Sequence, residues 1–319
     1  MNTSCLNYPG LFRSGLIPVS LIVLLMAGCS GQPESTGEIP TRFPAADRIV
    51  AIGDLHADLD AARRALRLAG AIDEEDHWIG GRLVVVQTGD QIDRGGDELE
   101  ITELLSLLSD EAAAAGGAVH VLNGNHELIN VALDLRYVTR EGYRDFEGLV
   151  SIDESDSLVM AQPPERRARA AAFRPGGPWA LIYAKRNTAV IVGDNLFVHG
   201  GILPEHVDYG LERMNGEIRA WLRDEIPRPE WSEGSRSPIW SRHFSDGIDS
   251  TEAEMLTEVL DRLEVSRMIV GHSIQDGGVT SFCDGDVWCI DVGMASHYGS
   301  NQVRVLDIQG DVVRVLREH

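Results

Sequence analysis

The chain has 319 residues, 43% of them apolar and 24% charged, with a formal net charge of −22. That length is enough for a large core in one or two domains, at roughly 100–200 residues per domain. The acidic balance excludes a non-specific nucleic-acid binder, which needs Lys and Arg to displace counterions. Any phosphate chemistry must therefore rest on cations gathered at one place rather than on the whole surface.

Arg13 leads into an apolar run from Leu16 to Cys29, shorter than the ~20 residues that span a bilayer comfortably. Such a segment is a targeting signal, not part of the fold. Its small residues before Cys29 resemble the lipobox of bacterial lipoproteins, with Met26 where Leu is usual. The resemblance implies removal of residues 1–28 and a lipid on Cys29. With Ser30 following, it also implies a protein held on the periplasmic side of the bacterial envelope, at the outer membrane. A signal cleaved without lipidation is the alternative. Residues 29–46, rich in Gly, Pro, Ser, Thr and Glu, are expected to be a flexible tether. Cys283 and Cys289 flank a short turn and either form a disulfide, which an oxidising compartment permits, or remain two buried thiols.

From residue 47 onward the pattern is strand, loop, helix, repeated. Ile49 to Ile52 runs into Gly53-Asp54-Leu55-His56-Ala57-Asp58, followed by helical spacing from Leu59 to Leu68. Leu83 to Val86 runs into Gly89-Asp90-Gln91-Ile92-Asp93-Arg94-Gly95, followed by an amphipathic helix from about Asp97 to Ala115. Ala118 to Leu122 runs into Asn123-Gly124-Asn125-His126-Glu127. This alternation implies parallel strands with right-handed crossovers, whose carboxyl-end loops share one edge. Asp54, His56, Asp90, Asp93, Arg94, Asn125 and His126 should meet there.

Residues 130–185 break the rhythm and are expected to form a helical insertion over one rim. Within it, Arg166, Arg167 and Arg169 read as a solvated helical face. Strands resume at Thr188 to Val192 and at Leu196 to Val198, the latter ending in His199-Gly200-Gly201. A helical stretch runs from Tyr209 to Ile226. A loop then carries Trp240-Ser241-Arg242, and Met268 to Val270 runs into Gly271-His272. Short C-terminal strands (Val279 to Cys283, Val287 to Val292, Val303 to Ile308, Val312 to Leu316) should add an antiparallel portion. The expected architecture is α/β: two mixed β-sheets packed face to face with flanking helices. The histidines outside these motifs, His77, His120, His206, His243, His297 and His319, receive no role.

These motifs, in this order, resemble the phosphoprotein phosphatase family of binuclear metallophosphoesterases, which has the calcineurin-like fold. Leu122 to Glu127, Asp134 to Val138 and His199 to Pro204 resemble its bacterial-type Shewanella-like branch. The resemblance implies that Asp54, His56 and Asp90 hold one metal, and that Asp90, Asn125, His199 and His272 hold a second, with Asp90 bridging. Mixed carboxylate, imidazole and amide donors suit Mn, Fe or Zn better than Mg or Ca. A pair of such ions activates a hydroxide for direct attack on phosphate. On the same resemblance His126 is the general acid and Asp93 fixes its tautomer. Arg94 and Asn125 bind the phosphate, Arg242 is a second clamp candidate and Tyr298 a more distant one, and Glu127 supports the loops. The implied activity is a phosphomonoesterase acting on phosphorylated Ser, Thr or Tyr of a protein, or on a small phosphoester. A nucleotide or dinucleotide phosphohydrolase is the enzymatic alternative. A non-catalytic metal-binding envelope lipoprotein is the alternative outside enzymes, and it gives no reason to keep His126, Asp93 and Arg94 together. One departure stands out: the family has Gly after the first His, and this chain has Ala57, which matters only if that position needs φ > 0.

Overall fold

The computed structural model describes residues 39–300 and 302–318. The apolar N-terminal run, Cys29 and the tether up to Glu38 lie outside the described residues, and so does His319.

One sheet is built on the first half of the chain. Strands β2 (Ile49–Ile52), β3 (Val84–Gln87) and β4 (Ala118–Val121) run parallel, with Ile49 opposite Val84 and Val84 opposite Ala118. Helices α1 (Leu59–Leu68) and α2 (Glu98–Ala115) supply the crossovers. The C-terminal hairpin, β10 (Arg304–Gln309) and β11 (Val312–Arg317), adds antiparallel to β2. Both faces of β2 are buried, so its residues are apolar throughout. Val50 and Ile52 pack with Leu66, Ile101 and Leu105 under the helices. Ile49 and Ala51 pack with Val190, Phe197 and Ile269 of the second sheet.

That second sheet has the order β1-β5-β6-β7-β9-β8. Its strands are β1 (Arg42–Phe43), β5 (Ala189–Val192), β6 (Asn195–Val198), β7 (Arg267–Val270), β8 (Thr280–Phe282) and β9 (Val287–Cys289). The two sheets stack face to face, as expected. The C-terminal strands, however, are divided between the sheets rather than forming one antiparallel portion, and β9 runs parallel to β7. The expected tether also ends earlier than residue 46. Arg42 and Phe43 pair with Ile191 and Val192, and the Arg42 guanidinium donates to the Leu263 carbonyl at 2.8 Å. A short edge pairing of this kind leaves no periodicity for a sequence to show.

After α3 (Asn125–Val131), the span 130–185 expected to be a helical insertion carries α4 (Arg140–Arg144), α5 (Ser157–Met160), α6 (Arg167–Phe173) and α7 (Pro178–Tyr183), joined by loops. Phe146, Phe173 and Tyr183 pack there in an apolar cluster shared with Ile92, Ile218 and Trp221. The solvated face assigned to the arginines of α6 is wrong for Arg169, which is fully buried. Its position is set by carboxylates far away in sequence, described below. After α8 (Pro204–Tyr209) and α9 (Leu211–Leu222) comes α10 (Ser250–Leu263), which periodicity reading had passed over. Asp249 caps it and Glu252 completes a capping box, while Leu256, Val259, Leu260 and Leu263 line its buried face. Cys283 and Cys289 are free thiols.

Candidate metal centre

The loops leaving β2, β3, β4, β6 and β7 meet at one edge of the sandwich. Backbone bonds zip the first two together: Leu55 and His56 N–H both donate to the Asp90 carbonyl at 3.0 Å, and Ala57 N–H donates to Gln91 at 2.7 Å. Glu127 clamps the second loop to the third, its carboxylate accepting the amides of Asp90, Gln91 and Gly124 at 2.7–2.9 Å. The supporting role expected of Glu127 is therefore seen atom by atom. Asn125 is the first residue of α3, with Gly124 at the cap. Its side chain is thus free to face the site.

The backbone here is forced into left-handed conformations that cost non-glycine residues roughly 1–3 kcal/mol each. They include His56 (φ 46°), Ala57 (φ 53°), Asp90 (φ 56°), Asp93 (φ 66°), Arg94 (φ 66°) and His272 (φ 66°). Ala57 therefore departs from the family pattern at a position that does need φ > 0. The strain is tolerated, and Ala57 still makes its backbone bonds to Gln91 and Asp97.

At the centre, ligand atoms crowd together. His199 Nδ1 donates to the Thr88 carbonyl at 3.0 Å, which turns Nε2 into the site. That Nε2 lies 2.8 Å from Asn125 Oδ1 and 3.2 Å from Asp90 Oδ2. His272 adds a buried Nε2 with no hydrogen-bond partner among the described residues. On the other side, His56 Nδ1 donates to Ile92 at 3.2 Å, turning Nε2 toward Asp54 (3.8 Å) and Asp90 (4.0 Å). Imidazole nitrogens and carboxylate oxygens gathered this closely in a buried place make a ligand set suited to cations. Ligand atoms of His56, Asp90 and His126 lie within 4.8 Å of one another, as do those of Asp90, His199 and His272, so Asp90 is common to both groups. These residues fit a two-ion site.

The electrostatics of the protein groups alone show the same demand for positive charge: burial would lower the His199 imidazole, but Asp90 and then Asp54 raise it to about 10. Burial alone would raise Asp90, but His199 first and His126 next hold it well below the usual carboxylate range. Burial, and then Asp291 beside it, pushes Asp54 well above that range. Burial depresses the His272 imidazole to about 2, with His199 and Arg242 adding to it. Burial would also lower His126, yet Asp90 and the bond to Asp93 outweigh it and leave the imidazole raised. That bond, from His126 Nδ1 to Asp93 Oδ2, is 2.6 Å long and presents Nε2 to the cavity.

The cavity holds about 340 Å³ and is lined by Asp54, His56, Asp90, Asn125, His126 and His272, with Arg94, Arg242, Tyr137, Trp240, Ile274 and Tyr298 forming the rest of its wall. Arg94 is flanked by the rings of Tyr137 (5.2 Å) and Tyr298 (5.3 Å), cation–π contacts that hold its fork in place. Arg242 donates to Ser273 at 2.7 Å. The ten residues expected at the site are therefore brought together, and Tyr298, the more distant candidate, joins them on the cavity wall. Three groups were missed. Asp291, buried and pushed to about 6 by that burial, follows β9, and the strand-end rule that found the others would have found it. Tyr137 carries no chemical signature beyond its place near the third motif. The buried Glu98, Asn130 and Arg169 behind His126 had no local signal.

Strand-end carboxylates, imidazoles and an amide around a shared aspartate, beside a carboxylate-bound imidazole and two guanidiniums, define a metal-dependent phosphoester hydrolase. A model of the calcineurin-like phosphoesterase family matches residues 47–276, and the chain belongs to that family. It is 40% identical over 311 residues to Shewanella-like protein phosphatase 2 of Arabidopsis thaliana, covering 88% of this chain and 80% of the relative. It is 25% identical over 282 residues to Shewanella-like protein phosphatase 1 of Plasmodium berghei, covering 85% and 74%. A solved cold-active protein tyrosine phosphatase superimposes with a TM-score of 0.71 at 25% identity, covering 88% of this chain and 80% of that one. The chain is a phosphatase related to the Shewanella-like group.

Proposed function

We propose that this phosphatase acts on phosphorylated tyrosine in preference to phosphorylated serine or threonine, with two ions of Mn, Fe or Zn at Asp90. Supporting the preference is the aromatic wall: Tyr137, Trp240 and Tyr298 line the cavity with Ile274, ring surface against which a phenyl ring packs and which a serine methylene does not reach. The tyrosine phosphatase activity named for the structural relative points the same way.

In this reading Asp54, His56 and Asp90 hold one ion, and Asp90, Asn125, His199 and His272 the other. Two ions so placed supply Lewis-acid activation of water and neutralise charge on the transferring phosphoryl group. The protein does the rest. Arg94, its fork held between two tyrosine rings, donates to the non-bridging oxygens in a bidentate grip. Arg242, which lines the same cavity, is the second clamp. His126 Nε2 gives its proton to the departing oxygen, and Asp93 on Nδ1 keeps the ring in the orientation that allows it.

The single observation that carries the reading is Asp90 shared between two buried groups, one with His199 and His272 and one with His56 and His126, the last bound to Asp93 through Nδ1. Its test is a comparison of kcat/KM on matched phosphotyrosine and phosphoserine peptides, with free nucleotides as competitors. Phosphotyrosine should be favoured by at least about tenfold, the worth of ~1.4 kcal/mol of differential binding. Equal rates on the two peptides, or faster turnover of nucleotides, would refute the preference.

A further inference from the structure

Arg169 sits on α6 in the helical insertion and is fully buried, as are Glu98, Asp93 and Asn130 around it. Its guanidinium reaches all three. Nη1 donates to the Glu98 carboxylate and to the Gly142 carbonyl (2.9 Å), Nε to Asn130 Oδ1 (2.9 Å), and Nη2 to Asp93 Oδ1 (3.4 Å). The Phe173 ring lies 4.4 Å and the Phe146 ring 5.2 Å from its carbon, which fixes the plane of the fork.

Each of these bonds settles one degree of freedom of the His126–Asp93 pair. Because Nε holds Asn130 by its oxygen, the Asn130 amide must turn its NH₂ toward Asp93, where it donates to Oδ2 at 2.9 Å. That oxygen is the one His126 Nδ1 uses, at 2.6 Å. Nη2 pins the other oxygen, so the carboxylate cannot rotate. Glu98, itself held by Arg169, accepts the Asp93 amide at 3.0 Å. It thereby braces a backbone with φ 66° at both Asp93 and Arg94. Neither the fork geometry nor the amide orientation survives in a lysine, which offers a point charge on a flexible stem.

We propose that Arg169 is a positioning residue for proton donation, so that the insertion is a working part of the active site. The proposal rests on the reading of His126 as the proton donor. Arg169 acts through Asn130 and Asp93 and does not touch substrate.

The experiment compares wild type, His126→Ala, Arg169→Lys and Asn130→Ala on aryl and alkyl phosphates that span leaving-group basicity. Melting temperature and bound metal are measured alongside. His126→Ala sets the benchmark: its loss must grow as the leaving group becomes more basic, and a loss independent of leaving group overturns His126 as donor. Given that benchmark, Arg169→Lys and Asn130→Ala should show the same slope. On alkyl phosphates kcat should fall by about 10- to 100-fold, part of the 10²–10⁴ that a positioned acid contributes. On p-nitrophenyl phosphate kcat should be nearly unchanged, with KM and metal content retained. Asn130→Ala keeps the Arg169–Glu98 pair and decides the matter where Arg169→Lys fails to fold. A readout free of turnover is the ring ¹⁵N spectrum of His126 in zinc-loaded protein, which should show one tautomer in wild type and a mixture in Arg169→Lys. Uniform loss on every substrate, or full activity on alkyl phosphates, in folded variants overturns the positioning role.

Discussion

Asp90 Oδ2 lies 3.2 Å from His199 Nε2, 3.7 Å from His126 Nε2 and 4.0 Å from His56 Nε2, so one carboxylate orders three imidazoles. Each of those rings is turned by a bond on its other nitrogen, to Thr88, Asp93 and Ile92 respectively. Such outer bonds set ligand orientation and basicity as much as the ligands do. The space around Asp90 is equally exacting. A Cβ on Gly124 would stand 2.3 Å from Asp90 Oδ1 and 3.0 Å from His199 Nδ1, closer than atoms tolerate. Gly124→Ala should therefore displace Asp90, with bound metal and activity falling together by about 10²-fold, in the upper range of what a ligand's supporting contacts are worth. Retention of both, checked by elemental analysis and p-nitrophenyl phosphate turnover, would mean that the loop has slack the geometry does not show.

At the scale of elements, what a sequence discloses follows from how local the cause is. The strands of the first sheet were legible because apolar residues run unbroken where both faces are buried, as in Val84, Val85 and Val86. The site was legible because its residues sit at strand ends, in tripeptides that keep their glycines. α6 shows where such reading stops. Its arginines sit in an Ala-rich helix and look solvated, but Arg169 is drawn inside by Glu98, 71 positions away, and Asp93, 76 positions away. Nothing within one turn of the helix reveals that. Helix α10 is a different case, since Asp249 and Glu252 announce it locally, and only the polar composition of its outer face masks the signal. The buried pair also makes a stability prediction. Arg169→Met leaves Glu98 and Asp93 as neighbouring buried carboxylates without a cation, and removing one partner of a buried pair costs about 3–5 kcal/mol. Urea unfolding should lose that much, and a loss under 1 kcal/mol would show that the network is not closed.

Across the whole molecule, two buried histidines each make acid costly to a chain whose net charge is −22. His120, stacked 4.1 Å from Phe43, is pushed by burial from 6.5 to about 4. His206, whose Nδ1 accepts the Leu203 amide at 2.9 Å, is likewise pushed by burial to about 4. The unfolded chain takes up these protons first, so each residue leaves stability untouched above about pH 6.5 and subtracts from it as pH falls toward 4. His120 alone subtracts up to about 3 kcal/mol at 1.36 kcal/mol per unit. His120→Phe should therefore gain on wild type progressively between pH 6.5 and 4 in denaturant titrations, and a difference independent of pH would show that the imidazole is not held neutral. Such a change lies at β4, outside the wall of the catalytic cavity, and is expected to leave kcat unaltered.

Everything proposed for turnover depends on a pair of cations sharing one aspartate. The most direct measurement is elemental analysis of active protein after gel filtration, on wild type and on Asp90→Asn. Two ions per chain are expected in wild type, drawn from Mn, Fe and Zn, with loss of bound metal and of phosphatase activity together in Asp90→Asn. Active wild type with no metal beyond background, or an Asp90→Asn protein that keeps both ions and its rate, would contradict it.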